Sequence, residues 1–332
     1  FNHESDGRKT PDLSYVEAAT RSIASVVVAG SLVILESTSP VGTTELMRDW
    51  LMDERRKQSL PADPELFLFA HCPERILPGQ MMKELVSNDR ICGGLTPKAS
   101  ETAKVLYSCF CSGQIFVTDA RTAEMAKLTE NSYRDVNIAF ANELSMICDE
   151  LKINVWELIE LSNRHPRVKI LQPGPGVGGH CIAVDPWFIV DAAPKAARLI
   201  RTAREVNDHK PHHVIDQIKA SADRFKKPVI ACLGLAFKAD VDDLRESPAM
   251  DIVEELVKEN IATVLVVEPH VRALPKSLAA LPQPPKLTGL QEAFDAADIV
   301  VVLVNHREFI AFNPLDLNCK VIIDTRGIWR KR

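Results

Sequence analysis

The sequence lacks three features that would each fix a broad class of protein. No apolar run approaches the ~20 residues needed to span a bilayer, and the opening FNHESDGRKT has no signal-peptide character. There is no excess of positive charge, since 40 Lys and Arg face 45 Asp and Glu, which argues against a general nucleic-acid binder. The eight cysteines show no metal-ligand spacing, so we predict no metal site. We therefore expect a globular protein of the cytoplasm.

The sequence does contain two blocks in which apolar strands alternate with amphipathic helices. This alternation predicts mostly parallel, doubly wound α/β sheets. Between the blocks, residues 121–151 include neither Gly nor Pro and predict a single helix over about 40 Å long. We therefore predict two Rossmann-like domains, at 1–118 and 223–332, joined through a helical domain at 119–222 that contains the long central helix.

Residues that favour the start or the end of a helix set the expected boundaries of the helices. The predicted helices cover residues 14–30, 43–57, 97–110, 121–151, 195–210 and 248–259, with a further short helix at 154–166. Gly30 is the expected stop of the first helix, and Pro211 is expected to interrupt or kink the fifth. The polar residues before Asp12 are predicted to form a loop.

The chain has one literal dinucleotide fingerprint, GxGxxG, at 174–179. The fingerprint needs a preceding strand, free backbone N–H groups and a following helix. Here Pro173 and Pro175 remove two donors, and Pro186 is expected to cut any following helix short. We therefore reject this interpretation. The glycines, Gly178 among them, are instead predicted to let the backbone approach a substrate and to take positive φ.

Cys181 is the candidate nucleophile. A buried, unreactive thiol is the common fate of a cysteine, but this one follows a Gly-Gly-His turn and precedes Asp185 by four residues. A tight polar turn favours a reactive thiolate. Asp185 either braces the loop or activates a water molecule against a thioester.

Three polar residues of the predicted long helix, Lys127, Asn131 and Arg134, lie at i, i+4 and i+7 and so share one face. Such a face is either a solvated stripe or the lining of a cleft. Apolar neighbours favour the cleft, where an ammonium and an amide can hold a developing oxyanion.

Polar side chains also follow several predicted strands, where α/β folds bind ligands. Ser37, Thr38 and Ser39 form one such turn, for which a simple Ser/Thr cap is an adequate alternative. Charged residues after other predicted strands are Glu74, Arg75, Lys238, Arg245 and Arg326.

The motifs ESTSPVG, CPERILPG, AEMAKLTENSYRDVNIAFANE, GPGVGGHCIAVDPWF, GLAFKADVDDLRESPA and IDTRGIW occur in the order found in the UDP-glucose/GDP-mannose dehydrogenases. The chain resembles that family over essentially its whole length. Within the family, the run NRHPRVKILQPGPGVGGHCIAVDPWFIV is most similar to members that oxidise UDP-N-acetylmannosamine.

The resemblance implies NAD-dependent oxidation of a sugar hydroxymethyl group to a carboxylate in two hydride transfers. It implies that Cys181 attacks the aldehyde to give a thiohemiacetal, whose oxidation leaves a thioester for water to hydrolyse. Lys127 and Asn131 are expected to stabilise the oxyanion. The resemblance assigns water and proton handling to Asp185, Glu74 and Thr38.

The remaining implied roles concern binding. The residues expected to line the nucleotide-sugar site are Arg75, Ile76, Arg134, Gly178, Lys238 and Arg326. His165 and Arg167 are expected to reach the substrate from the neighbouring subunit of a homodimer or larger homo-oligomer. Thr38 and Arg245 are expected to touch the dinucleotide.

One departure from the family pattern is large. The family begins with a strand and a GxGxxG helix that bind the NAD pyrophosphate, and this sequence shows neither, so about half of the first α/β domain is expected to be missing. Two interpretations follow. The sequence is either part of a longer dehydrogenase, or a truncated, non-catalytic UDP-sugar-binding dimer that binds NAD weakly or not at all.

Overall fold

A computed structural model of the chain describes residues 2–3, 9–76, 81–179, 181–317 and 319–329. They fall into two compact units, one within 1–132 and 184–198 and the other within 133–183 and 199–332. The helices are α1 Ser14–Ser22, α2 Thr43–Lys57, α3 Met81–Ser87, α4 Pro97–Ser108, α5 Ala120–Leu151, α6 Val155–Ser162, α7 Asp185–Ala192, α8 Arg198–Ala222, α9 Pro248–Lys258, α10 Lys276–Ala279, α11 Leu290–Ala296 and α12 Arg307–Ile310. None of the helices in these ranges is long and apolar enough to cross a membrane.

The strands are short and belong to three sheets. They are β1 Asn2–His3, β2 Lys9–Thr10, β3 Leu32–Leu35, β4 Leu68–His71, β5 Arg90–Gly94, β6 Ile115–Asp119, β7 Val229–Leu233, β8 Thr263–Val267, β9 Lys286–Leu287, β10 Ile299–Val302 and β11 Val321–Asp324. Two single 3₁₀ turns are present at Pro64–Leu66 and Pro314–Leu317.

The polar start of the chain is not wholly a loop, so that prediction was wrong. β1 and β2 pair antiparallel, with Asn2 opposite Thr10 and His3 opposite Lys9. Two-residue strands of polar residues carry no alternation of apolar and polar side chains, and sequence periodicity therefore cannot reveal them.

The first unit contains a four-stranded sheet in the order β3-β4-β5-β6. β3 runs parallel to β4 and β5 parallel to β6, but β4 and β5 are antiparallel, with Ala70 opposite Gly94. A parallel connection needs a crossover, usually a helix lying on the sheet, and α3, which lies between β4 and β5, buries none of its residues. The mostly parallel sheet therefore carries one antiparallel join.

Helix α1 ends at Ser22, eight residues before the expected stop at Gly30. The turns that follow are held by the buried side chain of Arg55, whose Nη1 donates to the carbonyl oxygens of Ala24 and Val27 at 2.6 and 2.9 Å. These carbonyls are thus satisfied without further helix. The β-branched run of valines at 26–28 also has low helix propensity.

Two longer helices carry the chain between sheets. α5 is continuous from Ala120 to Leu151, as predicted, and contributes residues to both units. α8 continues through Pro211 to Ala222, so the expected interruption is absent. An internal proline costs about 3 kcal/mol, but the buried stripe Val214, Ile215 and Ile218 keeps the second half of α8 in the core of its unit.

The second unit contains a five-stranded, wholly parallel sheet in the order β11-β10-β7-β8-β9. Its central strand residues are buried on both faces, as Ile299–Val302 illustrates. The chain goes from β7 to β8 on one side and later to β10 on the other, which creates a topological switch point between β7 and β10. The predicted fold class, two α/β sheets joined through a long helix, is confirmed.

Candidate active site

Asp185 is a buried carboxylic acid at the first position of α7, and its residue is only 4% exposed. Asn131 Nδ2 on α5 donates to Asp185 Oδ2 at 2.5 Å. Burial raises the pKa of Asp185 to about 6, although the Asn131 hydrogen bond and the charge of Lys127 act in the opposite direction. The structure therefore brings Asn131 into contact with Asp185 and Lys127 near enough for its charge to act on it, and the pKa of the carboxyl group is raised to about 6.

The sequence placed Lys127, Asn131 and Arg134 on one helical face, and their environments differ. Asn131 is buried, Lys127 is half-buried and Arg134 is exposed. The face is therefore neither a uniformly solvated stripe nor a uniformly closed cleft. Asn131 and Lys127 contact or influence Asp185, whereas Arg134 lies in the other compact unit.

Cys181 is exposed and begins the four-residue turn 181–184 that leads directly into α7. His180, named with it in the sequence interpretation, lies outside the described residues. Gly179 has a φ of +85°, so the predicted positive φ beside the thiol is confirmed at this position. A Cβ at Gly178 would lie only 2.3 Å from the carbonyl oxygen of Glu246, which excludes any other residue type without a shift of the backbone.

The segment 174–179 is not a phosphate cradle. The N–H of Gly174 donates to Asn142 Oδ1 at 2.9 Å, and the N–H of Gly179 donates to the carbonyl of Glu246 at 3.1 Å. Neither donor is left for an anion, and no strand precedes the segment. The expectation that Pro186 cuts the following helix short was nevertheless wrong. Pro186 is the second residue of α7, and a missing backbone N–H costs nothing in the first turn of a helix.

The turn after β3 holds Thr38 half-buried and leads to α2. Glu124 accepts hydrogen bonds at the α2 amino terminus from the N–H groups of Gly42 and Thr44, at 2.6 and 2.8 Å, and from the Thr44 hydroxyl. A helix amino terminus is the usual place for a phosphate in this kind of fold. Here the carboxylate of Glu124 fills it, and sequence reasoning had not singled Glu124 out.

Glu74 and Arg75, the two charged residues that follow β4, have different partners. Glu74 is exposed and its carboxylate accepts the N–H of Ile76. Arg75 forms an ion pair with Glu130 of α5 at 2.5 Å and donates to the carbonyl of Asp89. Glu74 and Ile76 are therefore coupled to each other, while the Arg75 guanidinium is positioned by α5.

Arg326 and Gly174 meet at the carboxyl end of the second sheet, near its switch point. Arg326 Nε and Nη2 donate to Asn305 Oδ1 at 3.2 and 3.0 Å, and burial lowers the pKa of Arg326. A Cβ at Gly174 would lie 2.4 Å from Arg326 Nη1, so glycine makes room for the guanidinium. A cavity of about 20 Å³ lies beside Arg326 and Phe237.

The other predicted binding residues of the second unit are exposed. Lys238 follows β7 and is exposed. Arg245 forms a two-bond ion pair with Asp243, at 2.9 and 2.7 Å. His165 and Arg167 are also exposed, and His165 Nδ1 accepts the N–H of Arg167 at 3.3 Å.

A hydrogen-bonded group formed by His306, Asp240 and Glu268 at the carboxyl end of the second sheet was not identified from the sequence. His306 is fully buried, and its Nδ1 accepts the N–H of Asp240 at 2.9 Å, so its Nε2 carries the proton and donates to Glu268 at 3.1 Å. Glu268 also accepts the N–H groups of Leu235 and Ala236. Both ring nitrogens of His306 are thus occupied by protein groups, and the cluster fixes the loop after β7.

Three family domains match the chain in order. Residues 3–111 match the NAD binding domain of the UDP-glucose/GDP-mannose dehydrogenase family, 121–209 its central domain and 231–331 its UDP binding domain. The chain belongs to the UDP-glucose/GDP-mannose dehydrogenase family. It is therefore an NAD-dependent dehydrogenase of UDP-sugars, with NAD as its cofactor.

The relatives of this dehydrogenase have related names. An NDP-N-acetyl-D-galactosaminuronic acid dehydrogenase from Ralstonia nicotianae is 62% identical over 97% of this chain and 76% of its own length. A UDP-N-acetyl-D-mannosamine dehydrogenase from Escherichia coli is 56% identical over 98% and 79%. The solved UDP-D-ManNAc dehydrogenase from Pyrococcus horikoshii is 40% identical with a TM-score of 0.84, covering 97% of this chain and 75% of its own.

Proposed function

We propose that this dehydrogenase oxidises the 6-hydroxymethyl group of UDP-N-acetylmannosamine to a carboxylate, giving UDP-N-acetylmannosaminuronate, through a covalent intermediate on Cys181. The main support for this proposal is the environment of Asp185. Asp185 is a buried acid whose pKa is raised to about 6, hydrogen-bonded to Asn131 and separated from Cys181 by a single turn of chain. A thiol followed by a proton-exchanging carboxyl group suits the formation and hydrolysis of a thioester.

The chemistry balances as two oxidations and one hydrolysis. The alcohol loses a hydride and a proton to give the aldehyde, and the Cys181 thiol adds to the aldehyde carbon to form a C–S bond. The thiohemiacetal loses a second hydride and a proton to give the thioester. Water then adds to the acyl carbon, the C–S bond breaks, and the thiol and the carboxylate are released. The sum consumes one water molecule and transfers two hydrides.

Asp185, Lys127 and Asn131 serve the steps that involve charged oxygens. Above its pKa, Asp185 takes a proton from the attacking water. The Lys127 ammonium and the second N–H of the Asn131 amide stabilise the oxyanion that forms when the thiol or water adds to the carbonyl. Glu74 and the Thr38 hydroxyl are proposed to hold water at the same centre.

The nucleotide sugar is proposed to bind through the remaining charged and backbone groups. The proposed contacts are Arg75, Ile76, Arg134, Gly178, Lys238 and Arg326. The position of Arg326 near the switch point of the second sheet supports a role with the nucleotide, because ligands of open α/β sheets bind at such points. We propose that 1–118 serves NAD, 119–222 carries the catalytic loop and 223–332 binds the UDP moiety.

Two molecules of NAD, bound one after the other, would each accept one of the two hydrides. Among the described residues, the Thr38 turn at the carboxyl end of β3 fits a role beside the dinucleotide, and Arg245 is a second proposed contact. The α2 amino terminus does not fit the pyrophosphate, because Glu124 occupies it. The non-catalytic interpretation is not favoured, since the family's NAD binding domain matches at 3–111.

The assembly and the compartment are proposals as well. We propose a homodimer or larger homo-oligomer in which exposed His165 and Arg167 of one protomer reach the sugar bound to its partner. A reducing compartment such as the cytoplasm suits the chain because its buried cysteines, Cys72, Cys92, Cys148 and Cys232, carry reduced thiols.

A second candidate substrate is the N-acetylgalactosamine nucleotide sugar. The 62% identity to a relative named for N-acetyl-D-galactosaminuronic acid exceeds the 56% identity to one named for N-acetyl-D-mannosamine. Both are 2-acetamido sugars, and they differ in stereochemistry rather than in the group that is oxidised. The catalytic proposal is the same for both.

The test measures NADH formation with UDP-N-acetylmannosamine and with UDP-N-acetylgalactosamine. We expect two NADH per sugar consumed, a higher kcat/KM for UDP-N-acetylmannosamine, and no acid from Cys181→Ala. A higher kcat/KM for UDP-N-acetylgalactosamine would replace the substrate and keep the mechanism. Acid formation by Cys181→Ala at the wild-type rate would remove Cys181 from the mechanism.

A further inference from the structure

The loop that carries Cys181 belongs to the second compact unit, and two of its glycines form backbone hydrogen bonds to other residues of that unit. At the first, Gly174 donates its N–H to Asn142 Oδ1 at 2.9 Å. At the second, Gly179 donates its N–H to the carbonyl of Glu246 at 3.1 Å. Cys181 lies two residues beyond the second attachment. The backbone that leads to Cys181 is therefore held at these two points.

The first attachment belongs to a chain of buried side-chain hydrogen bonds between α5 and α8. Asn142 Nδ2 donates to Asn207 Oδ1 at 2.9 Å, and Asn207 Nδ2 donates to Asp135 Oδ1 at 2.8 Å. Asp135 also accepts Arg204 Nη1 at 2.6 Å. Asn142 and Asp135 are 0% exposed, and Asn207 and Arg204 are 1% exposed. Water therefore does not compete for these groups.

The order of donors and acceptors along this chain is fixed by its charged end. A carboxylate only accepts, so Asn207 must turn its amide N–H toward Asp135 and its oxygen toward Asn142. Asn142 then presents its N–H to Asn207 and its oxygen to Gly174. Each amide has a single orientation that satisfies its neighbours, and the last acceptor points at the loop.

We propose that Asn142 is a positioning residue for the Cys181 loop, with Asn207 and the Asp135–Arg204 pair setting its amide orientation. This inference rests on the proposed function only in taking Cys181 as the nucleophile. Removing the Asn142 oxygen leaves the Gly174 N–H without its acceptor, which detaches one end of the loop. The thiol then samples positions away from the bound sugar, and misplacements of about 1 Å can cost rates 100-fold.

The test compares Asn142→Ala with Asn207→Ala, which keeps the direct Asn142–Gly174 bond but releases the amide orientation. Ile218→Val and Ile218→Ala are the matched controls, because Ile218 is a fully buried α8 residue outside the hydrogen-bond chain. Amide hydrogen exchange is followed peptide by peptide, together with kcat, KM for UDP-N-acetylmannosamine, and Tm.

We expect amide exchange at residues 174–179 to be faster in Asn142→Ala and, by a smaller factor, in Asn207→Ala. In the Ile218 control variant whose Tm falls by the same amount, exchange at 174–179 should not change. We expect kcat to fall about 10- to 100-fold in Asn142→Ala with KM within about threefold of wild type. Unchanged exchange at 174–179, or an equal rise in Ile218→Ala, would overturn the proposal. If Asn142→Ala fails to fold, Asn207→Ala decides by the same criteria.

A Cys181→Ser arm separates this proposal from the proposed function. Loss of acid formation in Cys181→Ser with wild-type exchange and kcat in Asn142→Ala would refute the positioning role alone. Retained acid formation in Cys181→Ser would refute the nucleophile, whereas the exchange result would still report whether Asn142 holds the loop.

Discussion

Asp135, which lies on the long helix α5, and Asp185, which is hydrogen-bonded to that helix, are both buried. They differ in their partners, because Asp135 has a direct ion pair. Asp135 bonds directly to the buried guanidinium of Arg204 and to the Asn207 amide. Asp185 accepts one amide N–H from Asn131 and feels Lys127 only as a nearby charge. Burial raises the pKa of both, to about 6 for Asp185. Only Asp185 combines burial with the absence of an ion-pair partner among the contacts described, and it follows the candidate nucleophile.

The difference shows how a fold separates a structural carboxylate from a chemical one. A direct ion pair holds Asp135 in one arrangement and links α5 to α8. A single hydrogen bond leaves Asp185 able to gain or lose a proton at little cost near pH 6. Both groups cost free energy to bury. For Asp135, hydrogen bonds from Arg204 and Asn207 offset part of that cost, although burial still raises its pKa. Asp185 accepts one side-chain hydrogen bond, from Asn131, and burial raises its pKa to about 6.

Of the substitutions that test the difference between Asp135 and Asp185, the one at Asp185 should have the largest effect, and that effect should be on catalysis. Asp185→Asn should lower kcat for acid formation by about 10²- to 10⁴-fold, because it removes the proposed base while preserving an acceptor for Asn131. Substrate affinity, measured by calorimetry with the UDP-sugar, should change little. A kcat within threefold of wild type would exclude Asp185 as the base.

The corresponding change at the other aspartate should act on folding. Arg204→Met leaves Asp135 buried without its cation and should lower the free energy of unfolding by about 3–5 kcal/mol, measured by urea denaturation. Arg121→Met, which removes an exposed pair with Glu45, is the control and should leave the midpoint unchanged. Equal midpoints for the two variants would contradict the structural role of Arg204.

The dependence of stability on pH should differ between Asp185→Asn and the wild type. The folded-state pKa of Asp185 is about 6, above the ordinary aspartate pKa of 3.8. The folded state therefore binds more protons between these two values, and its stability falls as pH rises through them. Asp185→Asn should therefore be more stable than wild type above pH 6, by about 3 kcal/mol. The gain should vanish below about pH 4. A constant difference across this window would contradict the raised pKa.

The smallest expected effect concerns Lys127. Its positive charge lowers the pKa of Asp185, so Lys127→Met should raise that pKa further. The measurement is the upper pH limit of the window in which stability falls, obtained from Tm at a series of pH values. A shift to lower pH would show that Lys127 does not act on Asp185 as a charge.

Much of the fold followed from local sequence patterns. The strands alternating with helices, the limits of α2 and the continuity of α5 were all predictable, because apolar periodicity and the absence of Gly and Pro are local signals. The end of α1 was not predictable, because it depends on Arg55, 31 residues further along the chain from Ala24. The continuation of α8 past Pro211 depends on packing against the second sheet.

The candidate site was only partly predictable for the same reason. Asn131 and Asp185 were identified from motif and resemblance, although their hydrogen bond joins residues 54 positions apart. Glu124 and the Asp135–Asn207–Asn142 chain were missed because their partners lie 65 to 82 residues away. An acidic residue within the first two turns of a long helix was the one available signal for Glu124.

A search for the covalent intermediate in Asp185→Asn tests the proposed roles of Cys181 and Asp185 together. The variant is incubated with NAD and UDP-N-acetylmannosamine, and the peptide containing Cys181 is analysed by mass spectrometry. Slow hydrolysis should let the thioester accumulate. We therefore expect this peptide to gain the mass of the UDP-N-acetylmannosaminuronyl group and to lose it on treatment with hydroxylamine. An unmodified Cys181 peptide, while Asp185→Asn still forms acid at the wild-type rate, would contradict the account.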